Sequence, residues 1–188
     1  MIQIDKSWTL FLDRDGVINR RLVGDYVKYW GEFQFIPGVL EAMPFFAEHF
    51  GRIVVVTNQQ GVGKGLMRIE KLNLIHDKMV KAIEAIGGRI DKVYACTDLS
   101  QKVPNCRKPN PGMAEEAKVD FPAIDFKKSI MVGDSITDIQ FGEQLGMCTV
   151  WVRGKEDEYK RLRQLDGKIK IDYRLNGLGD LPTQIQPL

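Results

Sequence analysis

Four short apolar runs that each stop at polar residues constrain this chain more than any other feature. TLFL at 9–12 runs into Asp13, IVVV at 53–56 into Thr57 and Asn58, IMV at 130–132 into Gly133 and Asp134, and CTVWV at 148–152 into Arg153 and Gly154. Runs of this length, with no polar residue alternating through them, read as strands buried on both faces, which is the habit of a parallel sheet. Between them lie segments with helical spacing at 39–50, 69–86, 113–119 and 138–145; the second aligns Leu72, Ile75, Met79, Val80, Ile83 and Ile86. Strand alternating with helix predicts an α/β fold with a doubly wound, Rossmann-like parallel sheet, whose right-handed crossovers place ligands beyond the carboxyl ends of the strands. The polar strand ends are therefore expected to converge. A weaker strand is expected at 92–95, then a long loop over 96–111 with Pro104, Pro109 and Pro111, then a charged segment at 155–170, a short strand near 171–175 and a closing turn at GLGDLP.

The 188 residues, 44% hydrophobic and 28% charged, suffice for one ordinary core, so residues 1–188 are read as a single domain. Lys plus Arg number 27 against 25 Asp plus Glu, and a formal charge of +2 lacks the basic surplus of a nucleic-acid binder. No apolar run approaches the roughly 18 residues of a membrane helix, and MIQIDKSW carries no basic-then-apolar leader. Neither nucleic acid nor membrane is expected as a partner, and a cytoplasmic location is the expectation. The three cysteines Cys96, Cys106 and Cys148 are odd in number in a chain large enough to need no staples, so reduced thiols are expected.

Asp13 and Asp15 stand two residues apart in DRDG, where the first strand ends. An isolated DxDG reads as a turn. Its company changes that: Asp134 and Asp138 in GDSITD, Thr57 and Asn58 after another strand, and Lys108 in RKP on the long loop can share one rim. Acidic groups crowded together repel one another unless a cation neutralises them, and hard oxygen ligands suit Mg²⁺. Lys108 with a hydroxyl and an amide donor suits an anion bearing several oxygens, so phosphoryl chemistry on a small phosphorylated substrate is expected.

The ordered set FLDRDGVIN, VVVTNQ, CRKPNPGM and GDSITD resembles the haloacid dehalogenase (HAD) superfamily of phosphohydrolases. The intervals between these motifs leave no room for a cap domain, and the chain is similar to the capless branch that holds heptose-bisphosphate and histidinol-phosphate phosphatases. The resemblance implies a Mg²⁺-dependent phosphomonoester hydrolase. It assigns Asp13 as nucleophile forming an aspartyl-phosphate, and Asp15 as the acid that protonates the leaving oxygen and then activates water. Mg²⁺ would be held by Asp13, the Asp15 carbonyl and Asp134, with Asp138 supporting Lys108. Thr57, Asn58 and Lys108 would bind the phosphoryl group, and Arg107 and Asn19 would meet the substrate. A small sugar bisphosphate, D-glycero-D-manno-heptose 1,7-bisphosphate, is the substrate expected; histidinol phosphate is the alternative. A receiver-like phospho-aspartate switch is a remoter alternative, because receivers place their acidic pair and acceptor on different strands, whereas here both acids share DRDG.

The chain departs from that pattern in two places. The family's loop before RKP carries four zinc ligands, Cys-x-His and Cys-x-Cys; here only Cys96 and Cys106 remain, with Asp98 and Pro104 at the other positions. A tetrahedral site wants four N or S donors, so structural zinc is expected to be absent. Ser135 stands where heptose-bisphosphate phosphatases often have lysine, which leaves a second phosphate to Arg107, Arg20, Arg21 or Lys64. GVGKG at 61–65 lacks Walker A spacing. His49 and His76, with no ligand partner at helical spacing, read as unremarkable helix residues.

Overall fold

The computed structural model describes residues 1–154, 156–165 and 168–188. Its elements are β1 (Ile2–Ile4), β2 (Thr9–Leu12), α1 (Val39–His49), β3 (Arg52–Asn58), α2 (Gln60–Gly63), α3 (Ile69–Glu84), β4 (Lys92–Cys96), α4 (Gly112–Asp120), β5 (Ser129–Gly133), α5 (Ile136–Gln144), β6 (Cys148–Val152), α6 (Glu156–Gln164), β7 (Tyr173–Leu175) and β8 (Ile185–Pro187). Of the charged segment expected at 155–170, residues 155, 166 and 167 lie outside those described. GLGDLP forms a 3₁₀ turn within 178–184.

Six strands pair in parallel in the order β4-β3-β2-β5-β6-β7. The chain proceeds outward from β2 through β3 to β4, then returns to β5 on the other side of β2 and proceeds outward again. The order reverses between β2 and β5, and a crevice opens at such a switch point beyond the strand ends. Asp13 follows β2, and Asp134 follows β5. The pairing of β1 with β8 in a separate two-stranded sheet, which no periodicity in the sequence announces, ties the two ends of the chain together.

The continuous apolar strands divide between two cores because successive side chains point to opposite faces. Leu10, Leu12, Ile53, Val55, Ile130 and Val132 face Met43 and Phe46 of α1 and Ile75, Met79 and Ile83 of α3. Phe11, Val54, Val56 and Met131 face Met113, Ala114 and Ala117 of α4 and Phe141 of α5. Full burial of each such side chain is worth about 1.5–3 kcal/mol, which explains why no polar residue interrupts the runs.

The cysteines correct one expectation. Cys96 and Cys106 form a disulfide with Cα atoms 5.6 Å apart, and only Cys148 is free. The loop leaves β4 at Cys96 and must return to the sheet rim to deliver Lys108, which brings Cys106 back beside Cys96. A count of cysteines cannot register that return.

Candidate active site

The rim above β2 and β5 is a cleft of about 510 Å³ lined by Asp13, Asp15, Thr57, Asn58, Lys108 and Asp138, and also by Arg21, Tyr26, Lys64 and Arg107. Asp13 continues the β2 ladder: its N–H donates to the Val132 carbonyl at 3.0 Å. Gly16 makes room for the fourth acid. Its φ of 98° lies in the left-handed region, and a Cβ there would stand 2.0 Å from Asp134 Oδ2. Asp138 sits in the first turn of α5 and closes a capping box with Ser135.

Lys108 reaches into this rim from the long loop and is 3% exposed. Its Nζ donates to Asp13 Oδ1 at 2.9 Å and to the Val56 carbonyl at 2.6 Å, and lies 2.6 Å from Asp138 Oδ1. Burial alone would favour neutral lysine, but Asp13 and Asp138 outweigh it and raise its pKa, so the ammonium stays charged. Asn58 sets this arrangement. Its side chain accepts from the Lys108 N–H at 3.0 Å and donates to the Lys108 carbonyl at 3.2 Å. The amide expected to bind phosphate is thus engaged in holding the lysine's backbone.

The two acids of DRDG differ in environment. Burial pushes the Asp13 carboxyl up, and Asp138 adds to this against the pull of Lys108 and Arg21. Burial acts the same way on Asp15, but the Arg14 guanidinium, which grips both carboxylate oxygens at 2.8 Å, overrides it together with hydrogen bonds from Asn19 and Gln59. The Asp15 carboxyl is held below its ordinary value. Asn19 is fully buried, donates to Asp15 Oδ1 at 2.9 Å and does not line the cleft, so its position is behind the acid and not against a substrate.

Arg14 and Gln59 escaped the sequence reading, and His76, read there as an unremarkable helix residue, has a buried partner. Arg14 is fully buried, Gln59 bridges Asp15 Oδ2 and Thr57 Oγ1 at 2.7 and 2.9 Å, and His76 lies 3.0 Å from Arg14 Nη1. Burial and Arg14 push the His76 pKa down to about 3, so the ring is neutral and accepts from the guanidinium. A signal existed: His76 falls among Leu72, Ile75, Met79 and Ile83 on the buried face of α3, where a polar group needs a partner.

The fit to a divalent cation can be judged from the cation that stands in the site. Arg21 Nη2 donates to the Asp15 carbonyl at 2.9 Å, lies 2.5 Å from Asp134 Oδ1 and 3.9 Å from Asp13 Oδ2. These are the three oxygens expected to hold Mg²⁺, and they already hold a positive charge. Asp13, Asp134 and Asp138 each offer a carboxylate oxygen within 4.8 Å of the others. Burial, aided by Asp13 and Asp138 and opposed by Arg21, pushes the Asp134 carboxyl up. The hard-oxygen donor set fits Mg²⁺. A second cluster, Cys96, Asp98 and Cys106, lies in the loop, with the two cysteine sulfurs bonded to each other.

The family model described as HAD-hydrolase-like matches residues 105–181. A Mycobacterium tuberculosis protein named D-glycero-alpha-D-manno-heptose-1,7-bisphosphate 7-phosphatase is 41% identical over 139 residues, 74% of this chain and 73% of that one. A Bordetella bronchiseptica protein named D-glycero-beta-D-manno-heptose-1,7-bisphosphate 7-phosphatase is 35% identical over 155 residues, 82% of this chain and 85% of that one. The crystal structure of D,D-heptose 1,7-bisphosphate phosphatase from B. bronchiseptica, complexed with magnesium and phosphate, superposes with a TM-score of 0.83 at 32% identity, covering 94% of this chain and 97% of the other.

Proposed function

The chain belongs to the HAD-like hydrolases, in the family of the heptose-1,7-bisphosphate 7-phosphatases, and from that premise we propose that it removes the 7-phosphate of D-glycero-D-manno-heptose 1,7-bisphosphate through an Asp13 phosphoenzyme. The observation that carries the reading is the convergence of Asp13, Asp15 and Lys108 on one cleft, with Asp134 brought beside Asp13, from three separate chain segments.

Asp13 attacks phosphorus with one carboxylate oxygen while the bond to the sugar oxygen breaks. Lys108, held by Asp13 and Asp138, keeps its charge against the phosphoryl oxygens, and the Thr57 hydroxyl adds a donor. Mg²⁺, held by Asp13, the Asp15 carbonyl and Asp134, would neutralise the phosphoryl charge. Asp15 supplies the proton to the departing sugar oxygen. Arg14 holds its carboxyl low, and an arriving phosphate dianion works in the opposite direction by disfavouring a second negative charge nearby. With the sugar gone, Asp15 is the ionised base that takes a proton from the water hydrolysing the acyl phosphate. Arg14, Asn19, Gln59 and His76 fix its orientation and are positioning residues.

The second phosphate falls to the same cleft. Arg107 and Lys64, whose Nζ stands 5.5 Å over the Tyr26 ring, supply positive charge there in place of the lysine that Ser135 replaces. No structural zinc is proposed for the loop, because its two cysteines are spent on each other; one equivalent of zinc in purified protein would overturn that. A cytoplasmic location suits a doubly phosphorylated, membrane-impermeant substrate; among the described residues no helix is long and apolar enough to cross a membrane.

The test is kcat/KM on the alpha and beta anomers of the heptose bisphosphate, heptose 1-phosphate and histidinol phosphate, with the released phosphate located on the sugar. The bisphosphate should win, alpha ahead of beta in line with the higher identity to the relative named for the alpha sugar, leaving the 1-phosphate in place. Preference for histidinol phosphate would reject the assignment.

A further inference from the structure

We propose that Arg21 is a built-in competitor for the divalent cation: its guanidinium and the metal are alternative occupants of one oxygen cradle, and metal loading turns Arg21 out of it. The inference rests on the metal reading above. Arg21 stands on the loop after the nucleophile, eight residues beyond Asp13 (21 minus 13). Both its Nε and Nη2 donate to the Asp15 carbonyl, at 3.2 and 2.9 Å, and Nη2 also faces the carboxylates of Asp134 at 2.5 Å and Asp13 at 3.9 Å.

The two occupants cannot share the cradle. A guanidinium keeps its oxygens at hydrogen-bond distance through directed N–H groups, whereas Mg²⁺ draws oxygens to about 2.0–2.1 Å and demands near-octahedral order. Nη2 stands between the oxygens that would have to close around the ion.

The contact is also unlike an ordinary surface ion pair. The Asp134 side chain is 1% exposed and Asp13 8%, so two carboxylates lie side by side out of water, while the arginine is 25% exposed and attached through a loop. Leaving such acids without a cation would cost more than a surface pair gains. Arg21 therefore keeps the cradle charged and assembled, and the loop gives the guanidinium somewhere to go. Binding of the metal becomes an exchange of cations, weaker than the bare cradle would allow but entering a site already formed. The displaced guanidinium stays at the cleft that Arg107 and Lys64 also line, where it adds positive charge facing an anionic substrate.

Calorimetric titration of Mg²⁺ into the substrate-free protein tests this without turnover. Arg21→Gln should bind Mg²⁺ about tenfold more tightly than wild type, and Arg21→Lys, which keeps the charge but loses the fork, should fall between them. Equal or weaker binding by Arg21→Gln overturns the proposal. If that variant does not fold, Arg21→Lys decides: affinity no better than wild type rejects the competition. Wild-type protein that binds no Mg²⁺ would sink the metal reading itself, whereas wild type that binds while neither variant binds more tightly sinks this inference alone.

Discussion

Asp13 and His76 show how differently two buried titratable residues answer to substitution. Asp13→Asn should keep the fold, because Lys108 retains Asp138 at 2.6 Å, yet lower kcat/KM by at least about 10³-fold; a near-normal rate would remove Asp13 from the nucleophile's place. His76 acts through pH. Its pKa of about 3 in the folded protein lies below the ordinary 6.5, so the unfolded chain takes up a proton across that window and the folded one does not. Its contribution to stability is thus complete above about pH 6.5 and drains away as pH falls toward 3, by roughly 2 kcal/mol at pH 5. Urea midpoints of wild type and His76→Gln should diverge at pH 7.5 and approach each other at pH 5; parallel pH dependence in the two would refute the assignment. At this scale the sequence was informative about which residue types carry chemistry and silent about their partners. Asn58 and Asn19 look like substrate amides in the sequence, but the folded chain turns one to the Lys108 backbone and the other to Asp15.

Among the elements, the 96–111 loop carries the most consequence. It delivers Arg107 and Lys108, and the Cys96–Cys106 bond closes it ten residues apart in sequence. A closed loop of that size stabilises by about 2–3 kcal/mol through the entropy it removes from the unfolded chain. The Cys96→Ser, Cys106→Ser double variant should lose that much unfolding free energy, read from urea denaturation, and wild type in reductant should match it; an unchanged unfolding free energy would mean the bond does not form. The strands and helices themselves were legible because buried periodicity survives in sequence: 69–86 became α3 at Ile69–Glu84, and 92–95 became β4 at Lys92–Cys96. Their ends were less so. The third strand continues through Thr57 and Asn58, since ladder pairing with β4 extends past the apolar run.

For the whole molecule, the decisive fact is that β2 lies centrally with helices on both faces. Phe11 is fully buried in the core beneath α4 and α5, on the face opposite Leu10 and Leu12. Phe11→Ala should cost about 3–5 kcal/mol by cavity formation, read as a single cooperative shift in thermal unfolding; a loss below 1 kcal/mol would show the site able to collapse. The alternation of apolar runs and helical stripes determined by itself that a doubly wound parallel sheet would form and which strand ends would carry polar chemistry, since burial on two faces leaves a mark on every residue of a strand. Only the tertiary structure decided that Arg21 faces the acids, that Cys96 meets Cys106 and that β1 pairs with β8. Those contacts join segments whose separation leaves no period to read, and they depend on where the sheet order reverses and where each loop returns.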